Sequence, residues 1–390
     1  MDTDEQMKPS MHKEGGNKEG GAQIKAPRAE KRILDSDDIE AMALGTWILG
    51  TGGGGTPYPN LLNMRELYAA GKRVTLQDPQ SLADDALVAV LSSQGAPLVG
   101  QERLSDPAMA TKPLRIMEAY LGRKFDAVMP VEIGGGNGLH ALMVAGQTGL
   151  PAIDADAMGR AYPEAQMTSF AVADLQCYPL AMGDIRDNEV IIKKAHSWKW
   201  MERTSRKICT EFGSLASTCK APRSGLEVKD HGILYTTTKA IDLGKAVEKA
   251  RRDHADPVQA IVDECGGHRI FTGKVVDVER RTTGGFLRGR TRLEGLGPDN
   301  GERFDIEFQN EYSVGSRDQQ PIVMTPDLIC VVDSVSGDGI GTEAIRYGQR
   351  VDVLVLPAPP VFLSKRGLEL VGPRAFGFDF DFRSYFEETR

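Results

Sequence analysis

The chain has no short thiol motif. Its five cysteines, Cys177, Cys209, Cys219, Cys265 and Cys330, form no C-x-x-C pair and have no histidine at zinc-finger spacing. That argues against a disulfide framework or a thiolate zinc site and leaves reduced thiols as the expectation. No stretch approaches the about 18 uncharged apolar residues of a membrane span, so no membrane partner is expected. The N-terminus has no apolar signal core, and Asp2, Asp4, Glu5, Glu14, Glu19 and Glu30 disfavour a transit peptide, so the expected location is cytoplasmic. Positive charge is also short: 47 Lys plus Arg against 55 Asp plus Glu gives a net charge of −8, which disfavours a nucleic-acid partner and favours a small molecule. Near Trp198 and Trp200, rings alternate with lysines and arginines as in single-strand binders, but in so acidic a chain packing suffices to explain them. Neither G-x-x-x-x-G-K-[ST], G-x-S-x-G nor H-E-x-x-H occurs, so neither a P-loop nor a nucleophile elbow nor a zincin helix is indicated.

What is present is glycine, 43 of 390 residues, in clusters. A length of 390 predicts two or three domains. Residues 1–32 carry seven basic and six acidic side chains and one isoleucine, too little apolar surface to offset ordering, and read as a disordered tail. Order is expected from Leu34, with Asp37 and Glu40 as a capping box, a helix through Trp47 and a second helix capped by Asn60. Apolar runs of strand length then alternate with helices, with Asn137 capping the one that follows Phe125–Ile133. The pattern predicts an α/β domain over residues 33–200, built on a parallel sheet covered on both faces. A helical segment from Ala240 to Cys265 follows, and then short strands, among them Phe304 to Tyr312, predict a β-rich C-terminal domain within residues 201–390.

Three places could carry chemistry. Gly50, Gly52 and Gly55 fit G-x-G-x-x-G, but a helix precedes them where a dinucleotide site needs a strand, which leaves a ligand-facing loop through Gly52–Gly55 or a structural turn. Glu132 stands at the carboxyl end of a strand, before Gly134, Gly135 and Asn137, where backbone N–H groups at a helix start attract anions; the alternative is a carboxylate that only holds the loop. Asp154 and Asp156 share a strand face with Arg160 four residues on, an arrangement open to acid/base chemistry, to a plain ion-pair clasp, or to a divalent metal shared with Glu132. Without a histidine or cysteine at ligand spacing no cofactor is expected, the metal being the alternative. Arg374 in Gly372-Pro373-Arg374-Ala375-Phe376-Gly377 could hold a ligand carboxylate or bridge domains.

Leu49–Gly55, Glu132-Ile133-Gly134-Gly135 with Asn137, Asp154–Glu164, Arg346-Tyr347-Gly348 and Gly372–Gly377, in this order, resemble the S-methyl thiohydantoin desulfurase family, long carried beside hydantoinase/oxoprolinase proteins. The resemblance spans about residues 34 to 380 and implies two α/β-type domains. It also implies hydrolysis of S-methyl thiohydantoin propionate to hydantoin propionate and methanethiol. Such a reaction needs a base for water and an acid for the ring nitrogen, roles open to Glu132, Asp154 and Asp156. Gly52–Gly55, Gly134, Gly135, Asn137, Arg160, Glu164 and Arg374 would then bind substrate. The alternatives are a ring-opening hydantoinase/oxoprolinase-type component and a non-catalytic subunit of a hydantoinase-like partner; a homo-oligomer is compatible with each.

Overall fold

The computed structural model describes residues 29–387 apart from 101 and 103–105. Of the segment read as a tail, residues 1–28 lie outside the described residues, whereas Lys31 and Arg32 already belong to the first strand. In chain order the first half contains β1 (Lys31–Leu34), α1 (Ser36–Leu49), α2 (Tyr58–Ala69), β2 (Val74–Gln77), β3 (Leu87–Gly95), α3 (Pro97–Gly100), α4 (Pro107–Leu121), β4 (Ala127–Pro130), α5 (Gly136–Thr148), β5 (Ala152–Ile153) and β6 (Ala155–Asp156). There follow α6 (Ser169–Val172), β7 (Leu180–Gly183), β8 (Glu189–Ile192), α7 (Trp198–Glu211), β9 (Leu215–Cys219), β10 (Arg223–Ser224), α8 (Gly225–His231), β11 (Ile233–Leu234), α9 (Thr236–Arg252) and α10 (Pro257–Cys265). The expected single helix up to Cys265 is therefore two, because Asp256 caps a new start with Pro257 at its first position.

The large sheet runs β1-β2-β5-β4-β3-β9-β7-β8, with β10 added beside β3. Its centre, β2, β5, β4 and β3, is parallel as expected; β1, β9, β7 and β8 extend it antiparallel. Alternation along β3 sends Ala89 and Leu91 into one core with α1, α2, α5 and α9, and Val88 and Val90 into another with Met129, Tyr162, Phe170 and Phe362. Both faces of the central strands are thus buried, which is why they are apolar nearly throughout.

The second sheet is antiparallel: β12 (His268–Thr283), β13 (Phe286–Gly295), β14 (Arg303–Gln309), β15 (Glu311–Arg317), β16 (Gln320–Met324), β17 (Leu328–Asp333) and β18 (Arg350–Leu356), in the order β16-β15-β14-β13-β12-β18-β17. The stretch read as one strand to Tyr312 is a tight hairpin, β14 and β15 turning at Asn310, whose φ of 59° is one that asparagine tolerates better than most residues. Leu328, Cys330 and Val332 of β17 join the core under α1, while Ile329 and Val331 join the sheet's own core, so a single strand serves both.

Caps differ from the sequence reading in three places. Asp35 with Asp38, not Asp37 with Glu40, forms the capping box of α1. Asn60 lies inside α2 and donates to the Gly136 carbonyl at 2.8 Å. Gly135, not Asn137, precedes α5, and Asn137 is freed for other contacts. Helices α1 and α9 cross at two glycines: a Cβ on Gly45 would collide with the Ala240 carbonyl, and one on Gly244 with the Ala41 carbonyl. Because the obstacle is backbone, Gly244→Ala is expected to lower stability by about 2–3 kcal/mol, measured by urea unfolding; a change within about 0.5 kcal/mol would contradict this crossing.

Candidate active site

The two glycine runs meet each other. Gly135 N–H donates to the Thr46 carbonyl at 2.7 Å and Gly136 N–H to the carbonyls of Gly54 and Gly55 at 3.1 and 2.8 Å. A Cβ on Gly135 would strike the Gly54 backbone, and one on Gly53 the Glu311 carboxylate. The glycines thus let two loops and a hairpin approach without side chains between them. The N–H groups of Gly135 and Gly136 at the start of α5, expected to attract an anion, are already used by loop carbonyls.

Glu132, just past the end of β4, is 5% exposed. Its Oε1 accepts from Asn137 Nδ2 at 2.5 Å and its Oε2 from the Tyr162 N–H at 3.0 Å. Asn137 in turn accepts from the Ser93 N–H at 2.7 Å, and Ser93 Oγ lies 3.4 Å from His140 Nδ1. Burial pushes the Glu132 pKa up to about 7, with the Asn137 and Tyr162 donors opposing the rise. His140, pushed down to about 4 by burial, is neutral, and its Nε2 has no partner.

These residues line one cavity of about 200 Å³. Its opposite wall comes from the Asn310 hairpin, where Glu311 is buried with Oε2 unpartnered. Burial holds its pKa well above the usual carboxylate range, and the nearby charge of Glu132 adds to the rise. Lys220, just after β9, and Arg206, on α7, supply cationic side chains to the lining. Arg206 pairs with Glu202, donates to the carbonyls of Gly285 at 3.2 Å and Pro163 at 2.8 Å, and lies over the Phe286 ring.

Of the residues expected from sequence, Glu132, Asn137, Gly54, Gly55 and Glu164 line this cavity, while Gly52, Gly53, Gly134 and Gly135 form the packed layer behind it. Asp156 lies deeper, its Oδ2 accepting from the N–H groups of Ile133, Met158 and Gly159 at 2.7–3.2 Å, with its pKa pushed up to about 7 by burial. Asp154 accepts from the backbone and hydroxyl of Thr238 in the first turn of α9. Among the described residues no three His, Cys, Asp or Glu side chains converge as a group that could hold a metal ion, and Glu132, Asp154 and Asp156 do not come together as one. Arg374 is at the surface, paired with Asp379 and Asp381 at 3.1 and 2.6 Å. Arg160 is 1% exposed and pairs with neither aspartate; it donates to Thr51 Oγ1 at 2.7 Å and to the carbonyls of Ala161, Tyr312, Pro326 and Asp327 at 3.0–3.4 Å, over the Tyr162 ring.

Ser93, Glu202, Arg206, Ser217, Lys220 and Glu311 were not singled out as site residues by sequence reading. Glu311 had one local signal, the turn-favouring Asn310 before it; Arg206 belonged to the stretch of rings and cations near Trp198 and Trp200, read as packing, and Lys220 had no local signal.

The N-terminal model of the S-Me-THD-like family matches residues 37–194 and the C-terminal model residues 196–385. Comparison with curated proteins gives no match. A crystal structure of a protein from Chromobacterium violaceum has a TM-score of 0.73 at 20% identity, over 91% of this chain and 100% of that one, a likeness of fold alone. Because a lysine cannot reproduce the guanidinium's planar fork, Arg160→Lys is expected to lower stability by about 3 kcal/mol in urea unfolding; wild-type stability in that variant would show the tie to be dispensable.

Proposed function

Because this chain belongs to the S-Me-THD-like family, we propose that its cavity is the active site of a hydrolase for a small S-methyl thiohydantoin or related cyclic substrate. The observation that carries this reading is a pair of carboxyl groups on one cavity whose surroundings differ. Glu132 has two donors that favour its ionised form, whereas Glu311 has an unpartnered oxygen and, among the described residues, no side-chain donor, which favours its protonated form.

The roles follow from that difference. Glu132 takes a proton from water as the water oxygen bonds to the ring carbon that carries the S-methyl group. The C=N electron pair moves to the ring nitrogen, which takes the proton of Glu311. The tetrahedral carbon then re-forms a carbonyl: its hydroxyl returns a proton to Glu311, the C–S bond breaks, and the sulfur leaves with the proton held by Glu132. One water is consumed, methanethiol is released, and both carboxyl groups regain their starting states. Neutral His140 on the wall offers its Nε2 to a ring heteroatom, and no cysteine or serine nucleophile is required.

Purified protein given S-methyl thiohydantoin propionate is expected to release methanethiol, followed with a thiol reagent, without ATP or a second protein. Glu132→Gln should lower kcat/KM at least about a hundredfold while the far-UV spectrum is unchanged. Release at the wild-type rate from that variant would remove Glu132 from the mechanism, and no release by the wild type would count against this substrate.

The pH profile carries a second expectation. The base must be ionised, so kcat/KM should fall about tenfold per unit as pH drops below about 7, the value to which burial raises Glu132. A profile flat down to pH 5 would exclude a base so perturbed.

A further inference from the structure

A second cavity, of about 470 Å³, lies on the antiparallel sheet, lined by residues of β12 to β15 and by Phe376 and Phe378 of the C-terminal segment. Alternation along β13 sends Leu287 and Leu293 into the sheet's own core and leaves Arg288 and Arg290 on the opposite face. Register lays the charges on that face out in two rungs. In one, Arg290 stands across from Glu279 on one side and Glu307 on the other, and pairs with Glu279 at 3.1 Å. In the next, Arg281 stands directly across from Arg288, with Gln309 beyond. Like charges so placed repel, yet both guanidiniums are exposed and neither makes a hydrogen bond or ion pair among the described residues.

The rings are held in place. Phe376, in the Gly372–Gly377 run, packs against the core that contains Tyr162 and Phe362, and Phe378 lies 5.3 Å from Phe380, ring to ring. Arg374 pairs with Asp379 and Asp381, which flank Phe380. The cavity also shares a wall with the candidate active site. Gln309 and Ser313 line it, while Asn310 and Glu311 between them line the other cavity, and Gln309 Nε2 donates at 3.2 Å to Glu164 on the active-site side.

We infer that this cavity is a second ligand site, separate from the catalytic one, for a small molecule that joins a phosphate monoester to a flat ring. The phosphate lies between Arg281 and Arg288, and the ring lies against Phe376 and Phe378. Two unspent guanidiniums across from each other offer N–H forks that match phosphate oxygens, and a group with up to two negative charges offsets both cations. Glu279 and Glu307 stand on the Arg290 rung, so they repel an anion there and leave the Arg281–Arg288 rung as its place. The phenylalanine faces accept a flat ring whatever its heteroatoms, and the volume is in the range of small-molecule sites. Bound there, the ligand rests on the outer side of the hairpin whose inner side carries Glu311.

Calorimetry on the full chain tests this with phenyl phosphate, which has its ring on the phosphate, and adenosine monophosphate, which has it on a sugar. Each is compared with its dephosphorylated form, phenol or adenosine, and with inorganic phosphate. At least one of the two is expected to bind at one site per chain, at least about tenfold more tightly than both of its controls, and the tighter one identifies the kind of ring carrier. Arg288→Gln should bring that ligand within about threefold of its dephosphorylated form, and Phe378→Ala within about threefold of inorganic phosphate. No preference over the controls in wild type, or a preference unchanged by both substitutions, overturns the site. Arg288 is exposed and Phe378 half-buried, so neither change should move the thermal melt; if Phe378→Ala does, Arg288→Gln decides. No turnover is read, so failure of this site leaves the proposed reaction standing, and failure of that reaction leaves the site standing.

Discussion

The Arg160 guanidinium is the constraint on which the rest of the site depends. Its five N–H donors are matched by five oxygens drawn from four separate segments: Thr51 of the first glycine loop, the neighbouring Ala161, Tyr312 of the hairpin, and Pro326 and Asp327 before β17. A buried cation tolerates such a place only when every donor is used, so the segments are held in one arrangement. Each then delivers a neighbour to the cavity. Tyr312 follows Glu311, Thr51 begins the loop that ends in Gly54 and Gly55, and Arg160 stacks on Tyr162, whose N–H fixes Glu132.

Around that tie, backbone packs on backbone. The glycine runs that look like a phosphate cradle use their carbonyls and N–H groups on each other. The absence of Cβ atoms lets the hairpin bring Glu311 against Gly53 and the ring of Tyr312 against Gly52. The same economy recurs where α1 and α9 cross. The cavity that results is closed enough to desolvate carboxyl groups, which is the physical origin of the raised pKa values of Glu132 and Glu311.

The proposed chemistry follows from desolvation combined with unequal hydrogen bonding. Two carboxyl groups in one buried setting would titrate alike; donors on both oxygens of Glu132 and an unpartnered Oε2 on Glu311 separate them. The Asn137 amide joins Glu132 to the Ser93 N–H, and Ser93 Oγ lies 3.4 Å from His140 Nδ1, so these cavity-wall residues are held in one polar arrangement.

By itself the sequence determined the family, the alternation that makes the central parallel strands, the β-rich second half, and the position of Glu132 and Asn137 past a strand end. These are local properties: periodicity of burial, turn chemistry and motif spacing act over a few residues. Tertiary structure alone decided that Glu311, Arg206, Ser217 and Lys220 face the same space as Glu132, that Asp154 accepts from Thr238 and Asp156 Oδ2 from three backbone N–H groups, and that Arg374 stays at the surface. Which way a side chain points depends on register and on segments more than a hundred residues away, as between Glu132 and Glu311, and one residue of turn at Asn310 reverses a chain that periodicity reads as continuing.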